Sequence, residues 1–173
     1  MALRRIVTLP DPVLKRKAHP VNKFDKTLHI LLDDMVETMR DAPGVGLAAP
    51  QIGLSERIIV IEYFERDEQE EIEDAPRKVW AVINPEIVKV SEEKLIGVEG
   101  CLSIPGLVGE VERHAEVQVK GLNRHGKSMK IKARGWLARI FQHEIDHLNG
   151  ILFTERATRL WKPQQEVDAE QEV

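Results

Sequence analysis

His143 and His147 stand four residues apart, with Glu144 beside the first, in the run Gln142-His143-Glu144-Ile145-Asp146-His147. On an α-helix, residues i and i+4 project from one face, so the two imidazoles can close on a single divalent ion. Glu144 is then placed to act as base for a water held there. The pattern has this meaning only on a helix, and its flanks supply one. Leu137, Ile140, Phe141, Glu144 and Leu148 fall on or near one stripe, and Asn149-Gly150 reads as a helix stop. A carboxylate on such a stripe is costly to bury unless it has a partner or a reaction to serve. The plainer alternative is a surface helix with two ordinary histidines. Two imidazoles are also one short of the three protein ligands that a catalytic site of this type uses. No histidine follows His147, and Glu155 is the nearest downstream candidate. The one cysteine, Cys101, lies upstream in a glycine-rich turn between strands. A lone cysteine is most often inert core, but Glu99-Gly100 before it and Ser103-Ile104-Pro105-Gly106 after it suit a shaped loop.

The elements that must position these groups follow from periodicity. Asp11-Pro12 caps and starts a short helix through Leu14. Asp25 caps a second helix to about Arg40, in which Leu28, Leu31, Leu32, Met35 and Met39 recur at helical spacing. The small residues of Gly44-Val45-Gly46-Leu47-Ala48-Ala49-Pro50-Gln51 let backbone approach something closely, either as a tight connection or as a wall of a site. A dinucleotide fingerprint is excluded, because the third glycine is missing and a helix precedes. Strands are expected at 57–63, 79–83, 86–90 (after a turn at Asn84-Pro85), 94–98, 108–112, 116–122 and 127–133, and Gly135 opens the histidine helix. Helices first, then many short strands, then one core helix describes an α+β fold, with mostly antiparallel strands packed around a central helix.

A chain of 173 residues, 42% hydrophobic and 31% charged, suits one globular domain. No apolar run approaches the ~20 residues that span a bilayer, and no secretion signal opens the chain. A single cysteine allows no internal disulfide and fits a reducing compartment, the cytoplasm or an organelle after removal of a leader. Residues 62–77 hold eight acids against two arginines, and 162–173 four acids against one lysine. These read as solvated segments: a single catalytic domain over 1–161, an acidic surface insertion at 64–77 and a disordered acidic tail at 162–173. The remaining body is mildly basic, compatible with a polyanion such as RNA as a neighbour.

Three segments, Gly44-x-Gly46-Leu-Ala-Ala-Pro-Gln51, Glu99-Gly-Cys101-Leu-Ser103 and Gln142-His143-Glu144-x-Asp-His147, resemble in order and spacing the three motifs of the peptide deformylases. Asp11-Pro-Val-Leu and Ala18-x-Pro20-Val21 are similar to that family too, so the resemblance covers residues 4–160. It implies removal of the N-formyl group from the formyl-methionine of nascent chains. It implies Cys101, His143 and His147 as ligands of one divalent metal, Fe²⁺ in the cell, with Zn²⁺, Ni²⁺ or Co²⁺ able to substitute. Glu144 would be the general base and then acid, with Gln51 and the Leu102 N–H stabilising the oxyanion. Val45, Trp136, Arg139 and Ile140 would wall a methionine pocket, the Arg139 head reaching solvent or Glu99. Gly44, Gly46 and Gly100 would lie along the peptide backbone. The implied partners are nascent formyl-methionyl peptides and, transiently, the ribosome near its exit tunnel, with no membrane and no sequence-specific nucleic acid. Two other readings compete: a peptidase of the same helix-metal type, and a metal-binding module without catalysis.

Overall fold

The computed structural model describes residues 2–63 and 77–163. The acidic stretch 64–76 and the tail from 164 onward lie outside the described residues. In chain order the elements are α1 (Lys26–Asp41), β1 (Gly46–Ala48), β2 (Ile58–Tyr63), β3 (Lys78–Val90), β4 (Lys94–Cys101), β5 (Ile104–His114), β6 (Glu116–Leu122), β7 (Ser128–Arg134), α2 (Gly135–Leu148), α3 (Phe153–Arg156) and β8 (Arg159–Trp161). The strands form two antiparallel sheets, one ordered β1-β2-β3-β6-β7 and the other β4-β5-β8. The α+β architecture expected from the sequence is therefore present.

Alternation on β2 explains the layering. Ile59 and Ile61 pack with Trp80, Val82, Val119 and the α2 residues Leu137, Ile140 and Phe141. Ile58 and Val60 face the other way, onto Leu28, Leu31, Leu32, Met35 and Met39 of α1. A strand covered on both faces reads as a continuous apolar run, which is why Ile58-Ile59-Val60-Ile61 has no polar alternate. The second sheet adds a third cluster, in which Cys101, Ile104 and Val111 meet Val13, Leu14, Leu152 and Phe153.

The sequence stripe on α2 proves too narrow. Every residue from Leu137 through Leu148 is buried, because strands of both sheets enclose the helix. Full burial of Leu, Ile and Phe side chains contributes roughly 1.5–3 kcal/mol each, which offsets the cost of holding Arg139, Glu144 and Asp146 in the same interior. Gly135 opens α2 at φ +60°, and Gly150 follows its Asn149 cap at φ +72°. Arg57 Nη1 donates to Leu148 O at 2.8 Å, satisfying a carbonyl at the helix end.

Three expectations need correction. Asn84-Pro85 is no turn: β3 runs unbroken through it, with a register shift between Ile83 and Glu86 and Asn84 at φ +52°. The extra residue is absorbed as a bulge, as antiparallel pairs allow. Pro12–Lys15 is a single 3-10 turn, capped by Asp11, which accepts from Val13 N. Cys101 is the last residue of β4, which runs on beyond position 98, and β3 and β5 are long strands.

Candidate active site

α2 presents His143 and His147 on one face, with ring centroids 5.0 Å apart. β4 ends against that face. The β4–β5 register is regular from Lys94 to Gly100 and shifts between Gly100 and Cys101. Such an irregularity re-aims a side chain, and here Cys101 Sγ lies 3.4 Å from His147 Nε2. The ligand atoms of Cys101, His143 and His147 all fall within 4.8 Å of one another. A tetrahedral ion with bonds of about 2.3 Å to sulfur and 2.0 Å to nitrogen sets its ligands roughly 3.5 Å apart. His143 Nε2 is buried with no hydrogen-bond partner, an orphan that a cation would satisfy.

Glu99 fixes which nitrogen of His143 is free. It is fully buried, and Oε1 accepts from His143 Nδ1 at 2.8 Å. Arg113 grips the same carboxylate from β5 through Nε at 2.9 Å and Nη2 at 2.8 Å, and Arg139 Nη1 adds a bond of 2.7 Å. Arg113 Nη1 continues to Asp146 Oδ2 at 2.6 Å, and Arg156 closes on Asp146 from α3. Phe153 stacks on His143 at 6.2 Å. Arg113, Arg156 and Phe153 were missed by the sequence reading, and Ser103 and Asp146 stood inside its motifs without a role. Arg113 alone left a signal: it shares the inward parity of β5 with buried Val111 and lies next to exposed Glu112, and a charge at an inward position needs a partner.

Gln51 is the third residue of the 3-10 turn Ala49–Ile52 that follows β1. Its Oε1 accepts from Ala48 N at 2.9 Å, which turns its NH₂ inward. That group makes only long contacts, 3.5 Å to Cys101 Sγ and 3.3 Å to Ser103 Oγ. Gly46 explains the small-residue run: a Cβ there would stand 2.8 Å from Glu144 Oε1. A Cβ at Gly44 would meet Leu102 Cδ1 at 3.0 Å. Val45 and Trp136 are partly buried against the sheet–α2 core, and Gly100 is buried in β4. Ile140 is fully buried in that same core. Arg139 is 4% exposed, and its head reaches Glu99 rather than solvent.

The cluster's electrostatics favour a cation. Burial opposes charge on His143, but the Cys101 and Glu99 side chains and the Glu144 charge raise its pKa to about 10. Burial, with the charges of His143 and Arg113, keeps His147 well below the usual range. Burial would raise Glu99, yet the bonds from Arg113 and His143 hold it ionised far below the ordinary carboxylate range. Burial pushes Glu144 up to about 7, against the pull of His143. Its Oε1 lies 3.9 Å from His143 Nε2, and its Oε2 has no hydrogen-bond partner. One buried carboxylate is locked in the charged state and the other is poised to change state near neutrality, which suits a structural anchor and a proton carrier respectively.

Among known proteins, the family model for "Polypeptide deformylase" matches residues 3–162. A peptide deformylase of Symbiobacterium thermophilum is 51% identical over all of this chain and 75% of its own length. One of Alkaliphilus metalliredigens is 52% identical over 90% of this chain and 97% of its own. The crystal structure of peptide deformylase from Thermotoga maritima superposes with TM-score 0.81 at 40% identity, covering 92% of this chain and 100% of that one.

Proposed function

Because this chain belongs to the peptide deformylase family, we infer that Cys101, His143 and His147 hold one divalent ion in it and that Glu144, Gln51 and Leu102 carry out the reaction. The enzyme removes the N-formyl group from the N-terminal formyl-methionine of nascent polypeptides and releases formate. The observation that carries the assignment of residues is the convergence of one thiol and two imidazoles within 4.8 Å around the orphaned His143 Nε2. A bound divalent ion would supply a water nucleophile near neutral pH and polarise the formyl oxygen.

The chain's own groups do the rest. Glu144 takes the proton of the attacking water and returns it to the departing amine. The Gln51 amide, its contacts long and its carbonyl already engaged, turns its N–H groups toward the developing oxyanion together with the Leu102 N–H. Glu99 keeps His143 in the tautomer that offers Nε2. β1 and β4 are edge strands of their sheets among the described residues. The substrate backbone adds between them along Gly44, Gly46 and Gly100. The methionine side chain lies against the wall expected from the sequence, Val45, Trp136, Arg139 and Ile140.

A thiolate with two imidazoles suits Fe²⁺, Zn²⁺, Ni²⁺ or Co²⁺, and Fe²⁺ is the cellular metal in our reading. The protein works in the cytoplasm and touches the ribosome transiently where nascent chains emerge; no helix among the described residues is long and apolar enough to cross a membrane. Residues 1–161 are the catalytic domain. The test is formate release from a formyl-methionyl peptide by protein stripped and reloaded anaerobically with Fe²⁺ or Ni²⁺, with casein as a protease control. Cys101→Ala should lose bound metal and turnover together. Normal metal content and turnover in that variant would remove Cys101 from the ligand set. The iron form should lose activity to peroxide faster than the nickel form, since a redox-active ion then sits against a thiolate.

A further inference from the structure

Arg139 does more than wall a pocket. Its Nη1 donates to Glu99 Oε2 at 2.7 Å and to Val111 O of β5 at 2.8 Å, and its Nη2 to Leu95 O of β4 at 2.8 Å. One guanidinium on α2 thus ties both strands of the β4–β5 hairpin to the carboxylate that orients His143. It can lie across β4 only because position 97 has no side chain: a Cβ on Gly97 would stand 2.7 Å from Arg139 Cζ and 2.8 Å from its Nε. Trp136, one turn earlier, lies over the same guanidinium, its ring 5.6 Å away. Glu99, by contrast, does not depend on Arg139, because Arg113 grips both its oxygens. The contacts that Arg139 alone supplies are those to the strand carbonyls.

We propose that Arg139 is a positioning residue for peptide binding, holding the free edge of β4 in the conformation that accepts the substrate backbone, with Gly97 as its obligate partner. The proposal rests on the placement of the peptide along β4 given above. A flexible edge must be ordered when the peptide adds, and that ordering weakens binding; a clamped edge is ordered beforehand. Lysine cannot replace the clamp, because one ammonium on a flexible stem cannot reproduce the planar fork that meets three acceptors at once.

The test uses nickel-loaded full-length protein and two substrates, a formyl-Met-Ala-Ser tripeptide and formyl-methioninamide, which ends before the backbone that would run along β4. Arg139→Leu should keep its nickel, and its kcat/KM should fall for the tripeptide about tenfold more than for the amide, chiefly through KM, as expected for a lost charge-assisted hydrogen bond. Arg139→Lys should keep nickel and show the same deficit. Gly97→Ala should reproduce it, and adding Gly97→Ala to Arg139→Leu should cost little more, because both changes remove the same contacts to the strand carbonyls. Hydrogen exchange of amides 95–99 supplies a readout independent of turnover. In the wild type, the product Met-Ala-Ser should slow it; in Arg139→Leu, basal exchange should be faster and the slowing weaker. Equal losses on both substrates, or wild-type exchange in Arg139→Leu, would overturn the proposal. If Met-Ala-Ser left wild-type exchange unchanged, the placement of the peptide on β4 itself would be wrong.

Discussion

Glu144 is buried, and desolvation raises its pKa from 4.5 to about 7. A raised carboxyl pKa means that the folded chain holds this proton more tightly than the unfolded chain. The resulting stability is complete below about 4.5 and is lost as pH rises through about 7. Glu144→Gln remains neutral throughout. Metal-stripped Glu144→Gln should therefore melt close to stripped wild type near pH 4.5 and above it at pH 8; a pH-independent difference in melting temperature would refute the linkage. Reloaded with metal, the same variant should bind the ion and lose on the order of 10²–10⁴-fold in turnover, as general acid–base residues do. Glu99 behaves oppositely. It is ionised at the centre of Arg113, Arg139 and His143, and Glu99→Gln would leave the buried Arg139 guanidinium without its anion and Arg113 with Asp146 alone. Breaking a buried ion pair costs about 3–5 kcal/mol, so chemical denaturation should show a loss of that order. Metal affinity should fall on the order of 10–100-fold, as when an outer-shell partner of a ligand is removed. Unchanged affinity would mean that Glu99 does not set the His143 tautomer.

Between elements, the decisive contact is β1 against α2. The Gly46 backbone passes so close to Glu144 that an added Cβ would lie within 3 Å of three carboxylate-arm atoms, at 2.8, 2.9 and 2.9 Å. Gly46→Ala must push either the strand or the carboxylate. The strand is pinned by its ladder to Ile59, Val60 and Ile61 of β2, so the carboxylate should yield. The expected outcome is full metal content with a turnover loss approaching that of Glu144→Gln; wild-type turnover would show that the carboxylate tolerates displacement. α2 itself cannot shift to relieve the contact. Both its ends are held, by Gly135 N on Ala115 O at one end and by Ala18 N and Arg57 on Leu148 O at the other.

For the molecule as a whole, the groups proposed for metal binding and catalysis come from three separate places, the turn after β1, the end of β4 and α2, and two sheets with a helix between them bring these together. The acidic stretches at 64–77 and 163–173 lie outside every motif. We expect them to be dispensable for chemistry. Deleting 163–173 should leave turnover on a short formyl peptide nearly unchanged, and a large loss would show that the tail docks on the body.

Local chemistry was readable before any fold was known. Asp25 caps α1 through a bond from Leu28 N at 3.0 Å, and the His-Glu-x-x-His run is helical, as spacing alone dictates. The resemblance of the three motifs to the peptide deformylases implied Cys101, Gln51 and Glu144 as a set. Periodicity reports only neighbours within a turn or a pleat, however. It assigned α2 a stripe where the tertiary structure buries the helix all round, and it broke β3 at Asn84-Pro85 where a bulge carries the strand through. Nothing local links Arg113 to Glu99 and Asp146, or Arg139 to the carbonyls of Leu95 and Val111. Those bonds join residues 14 to 44 positions apart. They exist because strand register and helix packing carry charged groups into an interior where each must find its partner.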